Sequence, residues 1–311
     1  MPIIDECEKY YEKYGREMIE TCFPLYKNEI AVGLCGRGSD CFMFDDEVSG
    51  DHDSGVGFCL FLSDELYDEI GFDLGRKYSS LPKEFNGLKK GDDTPYGAGH
   101  FGVKKISDFF LENIGLPSAP VTLRDWLYMP EYGAAAAVNG RIFYDGEGEM
   151  SGIRQELLYG MPKDVKMKKM SLRLIECAQS GQYNFMRCIR HGEYAAAALA
   201  LGEFTKSALS FIYLINNSYM PFYKWAFRGA GKFCDLSSAT DDLKELITEG
   251  TNENTAKQKY ELIEKICKAF SVYLKENGFT ATDACFLEEQ AYEIQSKIKS
   301  PYLRELHIME G

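Results

Sequence analysis

Two aspartates one residue apart, Asp51 and Asp53 in SGDHDSG, are the side chains whose type and spacing best suit chemistry. On an extended segment, residues i and i+2 point to the same side, so the two carboxylates face together and His52 faces away. Hard oxygen ligands on one side are what Mg2+ accepts, with phosphates and water completing its shell. A cation so held offsets phosphate charge and aligns an in-line displacement. Upstream, Gly38 and Ser39 follow an apolar run. Backbone N–H groups at a Gly-rich turn cradle phosphate oxygens, and the Ser39 hydroxyl adds a donor. Asp45, Asp46 and Glu47 lie between the two features. They can support the metal-binding pair from behind or cap and shape the loop, and the second role is favoured. The plain alternative is an acidic surface loop without chemistry.

Eleven residues separate Ser39 from Asp51. That interval lies inside the Gly-Ser … Asp-x-Asp/Glu spacing of the polymerase-β-like nucleotidyltransferases. CGRGSDCFMFDDEVSGDHDSG further resembles a bacterial domain family of unknown function that is described as nucleotidyltransferase-like. QYNFMRCIRHGEYAAA and NNSYMPFYKWAFRG, much later in the chain, are similar to that family's C-terminal part. The resemblance implies an α+β protein, with a small mixed β-sheet flanked by helices and then an all-α helical bundle. It implies that Gly38 and Ser39 hold triphosphate oxygens and that Asp51 and Asp53 hold Mg2+. It also implies a third carboxylate on a later strand. The strand in question reads GVKKIS, with Lys104 and Lys105 where that acid is sought. Asp108 and Glu84 are the nearest substitutes, and neither is well supported.

The elements that must position these residues can be read from the pattern. Residues 4 to 24 place Ile4, Cys7, Tyr10, Tyr11, Tyr14, Met18, Ile19 and Cys22 on one helical face, closed by Pro24. EIAVGLC (29–35) and GFCLFL (57–62) are strands, the second apolar enough to be central. Ser63 is a helix N-cap with Asp64 and Glu65 in the first turn. FGVKKIS (101–107) is a third strand, and the helix after it ends at Gly115. NGR and DGEGE are turns, and from Asp164 onward the pattern is helical. Gln182 to Ile215, with its alanine run, is expected as one central helix. Helices over 252–277 and 286–298 follow. The boundary is expected at 125/126: an α/β domain over 1–125 and a helical bundle over 126–311.

Several other features compete for a role. GAGHFG (97–102) matches GxGxxG, yet no strand precedes it and no helix follows, so it reads as a loop. SYMPFYKW (218–225) is a core turn with an exposed lysine. As a functional element, Lys224 would neutralise phosphate and Tyr223 would stack on a base. Arg190 and Glu193, around His191, suit a buried ion pair, with substrate contact second. His100, His191 and His307 show no ligand spacing, and no Ser-His-Asp or Cys-His arrangement is visible. Ten cysteines without CxxC or CxH pairs read as reduced thiols, and a structural zinc site is not expected.

Lys plus Arg is 35 and Asp plus Glu is 48, a net charge of −13. That balance makes nucleic acid and an anionic membrane poor partners. No run of 18 apolar residues and no export signal is seen, so a cytoplasmic location is expected. The expected function is Mg2+-dependent transfer of a nucleoside monophosphate from a nucleoside triphosphate to a hydroxyl of a small molecule or protein. The alternative is a catalytically weak or inactive nucleotide-binding module on the same scaffold.

Overall fold

The computed structural model describes residues 2–45, 55–91 and 100–311. Helix α1 (Ile3–Tyr10) continues through a π-helical turn (Tyr11–Gly15) into α2 (Arg16–Cys22). The expected apolar face is buried from Ile4 to Ile19, while Tyr14 is half-buried and Cys22 exposed. Then come β1 (Ala31–Leu34), β2 (Cys59–Leu62), α3 (Asp64–Ser79), a short ribbon of β3 (Glu84–Phe85) and β4 (Leu88–Lys89), β5 (Gly102–Lys105) and α4 (Ile106–Ile114). The chain goes on through α5 (Leu123–Tyr128), α6 (Glu131–Val138), β6 (Arg141–Tyr144) and α7 (Glu149–Tyr159). The remainder is helical: α8 (Lys163–Cys177), a π-helical segment (Ala178–Phe185), α9 (Met186–Arg190), α10 (Tyr194–Ile215), α11 (Tyr223–Ala230), α12 (Ser237–Thr248), α13 (Glu253–Glu276), α14 (Leu287–Ser296) and α15 (Pro301–Glu305). The protein is α+β, with one small mixed sheet and many helices.

Two compact units emerge: residues 1–120 with 129–160, and residues 121–128 with 161–311. The division differs from a single break at 125/126 for a specific reason. β6 pairs with β1, which draws α6, β6 and α7 into the first unit. α5 belongs to the second, where the Leu127 carbonyl accepts from the buried Lys169 Nζ at 2.7 Å.

The first unit is built on the sheet order β5-β2-β1-β6. β1 and β2 are antiparallel, with Gly33 opposite Cys59, and every residue in both is buried. That burial explains why both read as unbroken apolar runs. β5 is parallel to β2, with Cys59 opposite Gly102, and β6 is antiparallel to β1, with Leu34 opposite Arg141. Ser63 Oγ accepts from the Leu66 N–H at 3.2 Å as the expected N-cap of α3. Gly115 takes the left-handed conformation (φ 76°) that ends α4. Arg141 at the start of β6 donates to Asp5, at 3.1 Å, and to Glu8 on α1. The strand directions have one consequence for function. The turn after β1 and the segments that enter β2, β5 and β6 all lie at the same end of the sheet.

In the second unit, α8 is buried along most of its length. Lys168 is fully buried, and its Nζ donates to the carbonyls of His307 and Ile308 at 2.8 and 3.0 Å. Asn252 and Thr255 form a capping box on α13. The segment Gln182–Ile215 is not the single helix expected from its composition. It breaks at His191 and Gly192, where Gly192 has φ +75°. Arg190 and Glu193 flank that break and are both exposed, so they are not a buried pair. Residues from Phe204 to Ile215 are mostly buried, but Leu199 in the alanine run is 75% exposed. α10 is the one helix among the described residues long and apolar enough to cross a membrane, and 67% of that window is buried in the protein.

Candidate functional site

The turn after β1 is held from three sides. On one side, the Gly36 N–H donates to Asn139 Oδ1 at 2.9 Å, and the Asn139 side-chain amide donates back to the Gly36 carbonyl. The Gly140 N–H donates to the Cys41 carbonyl at 2.8 Å. Asn139 is fixed by Arg154 on α7. The Arg154 guanidinium donates to the carbonyls of Ala137, Val138 and Asn139 at 3.1, 3.0 and 2.7 Å. These are the carbonyls that the end of α6 leaves without helical partners. On a second side, Arg37 Nη2 donates to the Glu112 carbonyl at the end of α4, 2.7 Å away. On the third, His100 lies at the entry to β5 with Nε2 2.7 Å from Asp40 Oδ2. Asp40 is 2% exposed, and its Oδ1 accepts from the Cys41 N–H at 2.8 Å.

Gly38 and Ser39 sit in this brace, half-buried. A Cβ at position 38 would lie 2.2 Å from Asp40 Oδ1 and 2.8 Å from His100 Cε1. The glycine is therefore demanded by packing of the Asp40–His100 pair as well as by any approach of a ligand. The Ser39 carbonyl accepts from the Phe44 N–H at 2.9 Å. Among the described residues, none accepts from the N–H of Gly38 or Ser39.

Asp51 and Asp53, the expected metal and catalytic residues, lie outside the described residues, as do Asp46 and Glu47. The chain re-enters at Gly55, next to β2, at the same sheet end as Gly38 and Ser39. Asp45 Oδ2 accepts from the Ile3 N–H at 3.1 Å, at the N-terminus of α1, and the loop it was expected to shape lies outside the described residues. β5 is the strand GVKK and carries no carboxylate. Lys104 lies opposite Phe61 of β2 and beside the Cys59 thiol. Lys105 pairs with Asp68 at 2.9 Å. Asp108 and Glu84 are both exposed.

Tyr223 and Lys224 belong to the second unit, in the first turn of α11. Both are exposed. Tyr223 packs its ring on Phe222 at 4.3 Å, and the Lys224 ammonium lies 5.0 Å from the Trp225 ring. His191 and His307 join no cluster of metal-ligating side chains among the described residues. A strand follows Gly102, which removes the dinucleotide reading of GAGHFG.

Three thiols line the interior beside the turn: Cys35, Cys41 and Cys59. Burial pushes the Cys59 thiol up to about 12 against the pull of Lys104, and raises Cys41 well above its ordinary value with Asp40 adding to the effect. With no cation bound, these thiols stay protonated at neutral pH and are not nucleophiles. A separate cavity of about 680 Å3 lies between α3 and the β5 edge. Tyr67, Phe72, Arg76, Lys83 and Lys90 line it, without a carboxylate among the described lining residues.

Asp40, His100, Asn139 and Arg154 are the positioning residues that sequence reading missed. Asp40 adjoins the Gly-Ser turn, but its partner is 60 positions away.

No curated protein matches the chain. A solved nucleotidyltransferase-like protein from Exiguobacterium sibiricum 255-15 is similar at 12% identity and a TM-score of 0.36, over 89% of this chain and 81% of that one. Residues 126–226 match the model of a family described as a domain of unknown function, DUF4037. The match runs from within α5 to within α11, so it takes in β6, Arg154, Tyr223 and Lys224 but not the Gly38–Ser39 turn.

Proposed function

We propose that the first unit binds a nucleoside triphosphate with Mg2+ at the end of the sheet where the turn after β1 meets the entries of β2, β5 and β6, and passes the nucleotidyl group to a hydroxyl acceptor. The observation that carries this reading is the convergence of those four segments on a braced turn with donors directed to no described partner. Gly38 and Ser39 would bind phosphate oxygens through their N–H groups and the Ser39 hydroxyl. The donor set of Asp51 and Asp53 fits Mg2+, since it offers hard carboxylate oxygens at i and i+2 and no soft ligand. Those two carboxylates would hold the ion, which supplies charge neutralisation and alignment at the phosphates. In the transfer, an acceptor oxygen forms a bond to the α-phosphorus as the bond to the β-phosphate oxygen breaks. Pyrophosphate leaves, and the hydroxyl proton passes to solvent or a base.

A second reading is favoured by one specific observation. β5, the parallel neighbour of β2, offers Lys104 and Lys105 where a third acid is expected. A site so made retains nucleotide and one metal but transfers slowly.

The experiment that tests both is a pair of measurements on wild type, Asp51→Asn and Asp53→Asn. The proposal expects a melting shift with a triphosphate that requires Mg2+ and disappears in both variants. Pyrophosphate release with candidate acceptors, lost in Asp51→Asn, supports transfer. A Mg2+-dependent shift without release supports the binding module. No shift with any of the four common triphosphates overturns both.

A further inference from the structure

We propose that Asp40, Cys41 and His100 form a site for a thiophilic transition-metal cation of the Zn2+ type, separate from the carboxylate pair assigned to Mg2+. A carboxylate oxygen of Asp40, Cys41 Sγ and an imidazole nitrogen of His100 all lie within 4.8 Å of one another. Asp40 and Cys41 are 2% and 1% exposed, and the His100 side chain is 17% exposed. One sulfur, one nitrogen and one oxygen is a ligand mixture that suits Zn2+ or Co2+ and does not suit Mg2+ or Ca2+.

The surroundings already orient the ligands. The Cys41 N–H holds Asp40 Oδ1, which leaves Oδ2 toward His100. The His100 carbonyl accepts from Cys59 Sγ at 3.1 Å, and its ring packs edge-on against Phe101 at 4.4 Å. Such outer contacts set ligand direction in metal sites. The 2.7 Å Asp40–His100 hydrogen bond is the collapsed form of the site. With zinc–ligand lengths of about 2.1 Å, tetrahedral oxygen and nitrogen ligands stand roughly 3.4 Å apart, so the pair need open by less than about 1 Å. On binding, the Cys41 S–H bond breaks, its proton passes to solvent and sulfur binds as thiolate. Three protein ligands leave a fourth position for water. The ion would fasten the entry of β5 to the turn that carries Gly38 and Ser39. The ligands come from positions 60 apart, so no short-range cysteine or histidine spacing announces them. The inference does not depend on Asp51, Asp53 or a nucleotide.

The test uses the full chain with exposed Cys22, Cys234 and Cys285 changed to serine and all metal removed. Co2+ is added and then Zn2+. The expected result is a sulfur-to-cobalt charge-transfer band that saturates at one equivalent of Co2+, and that Zn2+ abolishes and millimolar Mg2+ does not. Cys41→Ser should lose the band. His100→Gln should keep the fold and weaken Co2+ at least 10-fold, which covers the case in which Cys41→Ser does not fold. Absence of the band, or a band of unchanged affinity in His100→Gln, overturns the proposal.

Discussion

Arg154 Nη2 donates to the carbonyl of Asn139 at 2.7 Å, and through that contact α7 holds the residue that brackets Gly36. Three carbonyls share the guanidinium, which is largely buried. Arg154→Met should therefore lose about 2–4 kcal/mol of unfolding free energy in denaturant titrations, because it orphans buried acceptors. Under the proposed function it should also weaken any protection of the turn that a triphosphate confers in hydrogen exchange. Arg154→Lys, with one ammonium for three acceptors, should fall between.

Gly38→Ala puts a methyl group against Asp40 Oδ1. The expected cost is about 1–3 kcal/mol. Because the clash is with a named side chain, the effects should not add. In an Asp40→Ala background the same substitution should cost markedly less, a coupling that a double-mutant cycle reads directly. Equal costs in the two backgrounds would show that the His100 ring, whose Cε1 lies 2.8 Å from the same methyl position, and not Asp40, demands glycine.

The turn and its brace also show which parts of the molecule can be read from the chain. β1, β2, the Ser63 cap, β5 and the Gly115 end of α4 were all legible, because apolar runs and caps are local signals. β6 was not. RIFY lies between two turns that were recognised, but its four residues are only half-buried and its partner β1 is over a hundred positions earlier. The site divides in the same way. Gly38 and Ser39 announce themselves, while Asp40–His100 and Gly36–Asn139 exist only after folding. In the second unit, the alanine run outweighed the His191-Gly192 signal, so one long helix was expected where the chain turns.

Lys168 gives a pH dependence with a definite sign. Burial holds its ammonium down at about 8, with Glu310 pulling weakly the other way. From there to the ordinary lysine value near 10.4, the unfolded chain carries a proton that the folded chain has released. Stability contributed by this site therefore rises with pH across that window and is least below it, where the fold buries the charge. Relative to Lys168→Met, wild type should gain stability between about pH 8 and 10, at up to about 1.4 kcal/mol per pH unit. A difference that stays flat or falls would contradict the burial assigned to Lys168.

Thiol reactivity should sort by exposure. Cys22, Cys234 and Cys285 are exposed and Cys188 is partly so, while Cys7, Cys35, Cys41, Cys59, Cys177 and Cys267 are buried. A neutral-pH thiol reagent should modify the exposed three rapidly and Cys188 more slowly. The buried six should react only at the rate of unfolding. Mass spectrometry of timed samples identifies each site.

The alternation of the two units along the chain has a consequence for biosynthesis. The polypeptide passes from one unit to the other three times. A ribosome releases α5 before β6, and β6 before α8. The sheet cannot gain its last strand until Tyr144 has emerged. By then Trp126 and Leu127, buried in the finished protein, have long been outside the exit tunnel without α8 to cover them. That helix lacks α8 while the first unit completes its sheet, a period in which exposed apolar surface invites misassembly. Nor does a single proteolytic cut separate the units cleanly: a cut after Gly160 frees the whole first unit, but with α5 of the second still attached.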